Sequence, residues 1–349
     1  MKWFVLCCGL LSGLAVLADE CDIPPARLIV DALLDKRFAT AEKTLQDWQA
    51  GQPDSLQPGF YAASITLARA QYVHGDDYTA LNDHALEQLA AFRKQVTGKK
   101  TVSAEDELLL GMSEAFSARI FLDRKEWLKA YSIGRQARDR LRALIEKNPQ
   151  QQDAYLVLGL YEFYTGDVPV MLKWLTTLID LSGNRQRGLD WLQRAVEHGR
   201  TAAPEAARIL VEELALKAPE VCQWLVLNKT LRETYPANPR LAYALQKNYR
   251  LCGFPDQALQ ENLRASRQFR GDRRMVSRLI GQRLLIFRDL GDTKSMRALQ
   301  AKFVDPAYFE KRLNEGRHVA GERDGKAYSA PAPVHNTHPL TIKPACDAG

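Results

Sequence analysis

The residues that could carry a reaction are present but dispersed. His74 and His84 flank a turn, His198 closes a helical stretch, and the other three histidines stand at positions 318, 335 and 338. The adjacent carboxylates Glu105/Asp106/Glu107 and Glu212/Glu213 fall within helical stretches. In SAEDELLL the acids follow Ser103, where N-capping and the helix dipole account for them. HExxH, Walker, GxGxxG, GxSxG and paired CxxC patterns are absent, and so is any nucleophile–base pair at a usable spacing. His335, His338 and Cys346 match no ligand spacing. The expectation is a protein without catalytic residues, cofactor or metal.

What remains is binding chemistry, in two places. Between 264 and 297 the chain carries Arg264, Arg267, Arg270, Arg273, Arg274, Arg278, Arg283, Arg288, Lys294 and Arg297 against Asp272, Asp289 and Asp292. Spacings of three, four and five put several guanidiniums on one side of adjoining helices. Their forked donors suit phosphate or carboxylate. Arg267, Arg270, Arg274 and Arg278 are the candidate contacts; a solvated helical face is the competing reading. The second place is GLYEFYTGDVPVMLKW (159–174), where Tyr161, Tyr164 and Trp174 are candidates. Residues 166–184 read as an apolar insertion charged only at Asp167, Lys173 and Asp180. Three readings stay open for it: extra core, the wall of an apolar groove, or an interfacial membrane element.

The elements that must position these residues are helices. Apolar residues recur at spacings of three and four almost throughout, and strand signals are nearly absent. Short polar turns recur. LLDKRFATAEKTL, YVHGDDYTALNDHAL, IFLDRKEWLKAYSIGRQA, RLCGFPDQALQENL and LGDTKSMRALQAKF each end one helix and begin another. Second helices close with a proline, at Pro53, Pro149 and Pro236, and Pro239 opens the next helix. Over residues 26–303 this pattern resembles the tetratricopeptide repeat, a helix–turn–helix unit of about 34 residues. The resemblance implies an all-α, right-handed solenoid of stacked hairpins with a concave groove. Residues 153–200 resemble, more specifically, a group of bacterial exported tetratricopeptide-repeat proteins. That likeness supplies no site residue.

Stacked antiparallel hairpins set Cys222, near the start of a helix over 219–235, against Cys252, near the end of one over 239–252. A Cys222–Cys252 disulfide is expected. Cys21 and Cys346 lie at opposite ends, and their pairing is left open. Residues 1–18 read as a signal peptide: Lys2, an apolar run from Trp3 to Ala18, and small residues ahead of Asp19. Asp19 and Glu20 before Cys21 argue against lipidation. Losing Lys2 turns a net charge of +6 into +5, too mild to argue for nucleic acid. The helical domain spans 19–315, and 316–349 reads as an extended Pro-rich tail. The expectation is a periplasmic or secreted scaffold for a protein or peptide partner, not integral to the membrane, with membrane contact left open. The alternative is a carrier or sensor of an amphiphilic anionic envelope molecule.

Overall fold

The computed structural model describes residues 23–166, 183–214 and 221–301, so the stretch read as a signal peptide, most of the expected insertion with Trp174, and the expected tail lie outside it. Among the described residues there is no strand. The helices are α1 (Pro25–Leu34), α2 (Phe38–Gly51), α3 (Gln57–Ala70), α4 (Asp76–Thr97), α5 (Ala104–Asp123), α6 (Trp127–Lys147), α7 (Ala154–Gly166), α8 (Arg185–His198), α9 (Ala203–Ile209), α10 (Leu225–Thr234), α11 (Pro239–Leu251), α12 (Pro255–Gln268), α13 (Arg273–Asp289) and α14 (Thr293–Ala301). A π turn, Leu210–Leu214, extends α9, and a 3-10 turn, Val221–Trp224, leads into α10.

Four of the recurring turns share one geometry. α1, α5, α11 and α13 end on a left-handed residue two past the helix: Lys36, Lys125, Gly253 and Gly291. The next amide reaches back five residues, from Arg37 to Ala32 O (2.8 Å), Glu126 to Phe121 O, Phe254 to Tyr249 O and Asp292 to Phe287 O (2.9 Å each). This closure satisfies carbonyls a helix end leaves unpaired and sends the chain back antiparallel. After three of these turns a buried alanine follows five residues on: Ala41, Ala130 and Ala258. A small side chain there lets paired helices approach closely. Helices α2, α6 and α10 each end two residues before a proline, whose ring cannot continue a helix.

The hairpins α1–α2, α3–α4, α5–α6, α7–α8 and α11–α12 pack side by side, with α1, α3, α5, α7 and α9 inside. α5 is buried on almost every side from Leu108 to Phe121, so its sequence shows little amphipathicity. Ser103 caps it as expected, accepting from the Asp106 amide at 3.0 Å.

The stack departs from a strict nearest-neighbour array. α1 packs against α3 and also against α9. Beyond α9, Asp31 accepts from the Tyr235 hydroxyl at 2.7 Å and Asp35 from the Ala237 amide at 2.8 Å. Asn238 donates to Leu34 O at 2.8 Å and Arg27 to Arg200 O at 3.2 Å. α7 and α9 are joined by Asp153, which accepts from the amides of Thr201 and Ala202. The inner helices α1, α3, α5, α7 and α9 are therefore linked in a circuit of contacts. Cys222 and Cys252 form the anticipated disulfide, Cα to Cα 5.4 Å. The expected helix over 219–235 is shorter, since a 3-10 turn carries Cys222.

Candidate interaction surface

The arginine stretch divides in two when folded. Arg283 turns inward, donating to Asn262 Oδ1 (2.7 Å) and Ser266 Oγ (2.6 Å), and burial lowers its guanidinium pKa. Arg288 pairs with Asp289 at 3.0 Å, and Arg264 lies 3.7 Å from Glu261. Arg267, Arg270, Arg273, Arg274 and Arg278 are exposed around the single turn that joins α12 to α13. None has an ion pair or hydrogen bond to another described residue. Elsewhere most arginines are engaged: Arg232 with Glu261 (2.8 Å), Arg140 with Glu107 (2.7 Å) and Arg142 with Glu162 (2.7 Å).

Charge along the chain is uneven in the same sense. From 23 to 254 the sequence holds 30 basic and 28 acidic residues; from 255 to 301 it holds ten basic and five acidic. Arg273 and Arg274 occupy the first turn of α13, where the unpaired amides already make the end positive. No acidic residue lies in that turn, and only the cap Asp272, accepting from the Met275 amide at 2.9 Å, offsets it. Arg278 lies one helical turn beyond Arg274 on the same face. Such an uncompensated cluster can hold carboxylates or phosphates.

The aromatic candidates fall elsewhere and do not join the arginines. Tyr161 accepts from Arg138 Nη1 at 3.1 Å, with that guanidinium over its ring. Tyr164, 38% exposed, donates to Glu213 Oε2 at 3.1 Å. Burial and Glu213 push its hydroxyl up to about 12. What the GLYEFY stretch builds is a clasp. Glu162, 1% exposed, accepts from Arg142, Arg187 and the Asn184 amide (3.0 Å). A Cβ on Gly183 would fall 2.4 Å from Gly166 N, so the chain leaves and re-enters at one point. A Cβ on Gly188 would fall 2.5 Å from Phe163 N, and one on Gly159 2.9 Å from Gly188 O. Backbone touches backbone where α7 crosses α8.

Sequence reading passed over a second charged cluster. Arg208 on α9 pairs with Glu205 (2.5 Å) and Glu212 (2.6 Å). Arg240 on α11 reaches Glu212 (2.9 Å), Glu213 (3.6 Å) and Gln71 Oε1 (2.5 Å). Arg119 on α5 comes within 3.8 Å of Glu213. Burial tends to raise the Glu213 carboxyl, but Arg208, Arg119 and Arg240 outweigh it and hold it low. The π turn brings Glu212 and Glu213 to these partners, and no pattern in the sequence announces a π turn. These carboxylates tie α5, α7, α9 and α11 together, and Arg240 adds the end of α3 through Gln71. Asp153, raised by burial, serves the start of α9 in the same structural way.

Among the described residues no group of three or more His, Cys, Asp or Glu could hold a metal ion, and no helix is long and apolar enough to cross a membrane. No family model matches the chain, and no curated protein matches it significantly.

Proposed function

We propose that this protein is an exported, non-enzymatic scaffold of tetratricopeptide-like, right-handed hairpins that captures an acidic protein or peptide in the periplasm or outside the cell. The observation that supports this is the set of unpaired, exposed guanidiniums at the α12–α13 turn in a chain that engages most of its other arginines. Leaving them free at a helix start costs stability, and an anionic partner offsets that cost. The inner face is a poorer candidate, because ion pairs between Arg208, Arg240, Glu212 and Glu213 occupy it. Export rests on the signal-like residues 1–18.

The test is capture from the source organism's own envelope extract. Wild-type protein should retain a partner that an Arg274→Glu/Arg278→Glu variant loses, with both equally folded by circular dichroism. Equal capture by the two would remove the arginine turn from the reading. Retained lipid in native mass spectrometry, with no bound protein, would favour the alternative, a carrier or sensor of an amphiphilic anion.

A further inference from the structure

The packed helices α10 and α11 carry buried polar side chains that nothing in the fold satisfies. Asn228 on α10 and Asn248 on α11 are both fully buried, and neither the nitrogen nor the oxygen of either amide has a hydrogen-bond partner. On the 3-10 turn that leads into α10, Trp224 Nε1 is buried and unpartnered as well, while Gln246 and Arg250 on α11 are turned toward Asn262 of α12 and Asp289 of α13. Buried polar groups are nearly always paired, so two wholly unpaired amides on this pair of packed helices, with Trp224 beside them in sequence, call for a ligand. The two helices are adjacent and joined by Cys222–Cys252; Asn248 lies one turn before Cys252 on α11.

We propose that this seam is an internal binding site for ordered water, and that the disulfide holds together a hairpin whose interface is wet instead of close-packed. The chemistry selects the ligand. Both donors and acceptors are orphaned, so it must give and take hydrogen bonds. It must be neutral, because Trp224, Asn228 and Asn248 carry no charge, and Arg250 of the same helix is already paired with Asp289 at 2.9 Å. It must be small, because the side chains are sealed from solvent. An anion would lack a free cation, a metal would lack carboxylate or thiolate ligands, and an apolar molecule would leave every amide unpaired. Water meets each requirement and commonly fills such sites.

The decisive measurement is a crystal structure of the intact, disulfide-bonded chain at a resolution that shows solvent. Ordered density within hydrogen-bonding distance of the Asn228 and Asn248 amides is expected. A dry seam, or amides bonded directly to protein groups, would overturn the proposal. As a second measurement, an Asn228→Leu/Asn248→Leu variant should expel the water and keep or raise the melting temperature. A fall of several degrees would show that the amides hold the fold through protein contacts, and would sink the idea.

Discussion

Arg273 and Arg274 sit where the helix dipole opposes them, and that separates function from stability at single positions. Replacing Arg273 with Glu should stabilise the protein by about 0.5–1 kcal/mol, since an acid suits a first turn. Partner capture should weaken in the same variant. Thermal melts together with capture read both, and a variant that loses stability would contradict the dipole argument. Lys125 makes a parallel case without a functional cost. It holds the left-handed position with φ 63° that Gly253 and Gly291 fill elsewhere. Lys125→Gly should therefore raise stability by up to ~1 kcal/mol, checked by denaturant unfolding.

At the scale of elements, the α7–α8 pair is held by contacts among Gly159, Phe163 and Gly188 and by the two ends of the insertion. Gly188→Ala drives a methyl into the Phe163 backbone and should cost about 3 kcal/mol or more. Gly281, in mid-α13, has open space around a new Cβ, and Gly281→Ala should gain ~1 kcal/mol. The contrast between the two checks whether close approach, and not glycine content, fixes the α7–α8 crossing. Because Gly183 abuts Gly166 and Glu162 binds the Asn184 amide, excising residues 167–182 should leave the helical fold intact by circular dichroism. Unfolding on excision would mean that the insertion serves as core.

At the scale of the whole molecule, distant elements among the described residues are tied by charge and by the Cys222–Cys252 disulfide. The Glu213 carboxyl is held below its ordinary 4.5 by three guanidiniums. Its contribution is complete above that pH and is lost as the pH falls through the folded-state value. Asp153 works in reverse: burial raises it above 3.8, so its ionisation as pH climbs past that value removes stability. In melts between pH 7 and 3, the gap between wild type and Glu213→Gln should narrow below pH 4.5; a constant gap would show that Glu213 is not the acid-sensitive group. Reducing Cys222–Cys252, 30 residues apart, should cost about 3–4 kcal/mol on the loop-entropy estimate. The loss should concentrate at α10 and α11 in hydrogen exchange.

The helices, their antiparallel pairing and the Cys222–Cys252 bond were legible in the chain because each rests on local chemistry. A left-handed residue, a small alanine five positions on and a proline two past a helix act within one or two turns of backbone. The arginine turn was legible as composition, but which of its ten cations are free was not, since Arg283 and Arg267 read alike until Asn262 and Ser266 claim one of them. Likewise GLYEFY gave no sign that Glu162 is a clasp, because its partners stand 20 to 25 residues away. The return of α1 to α9, Tyr235 and Asn238 was beyond the sequence for the same reason. Local rules set how each hairpin forms and stacks on the next. Whether the stack stays open or closes depends on small rotations summed over five hairpins, and only the folded chain performs that sum.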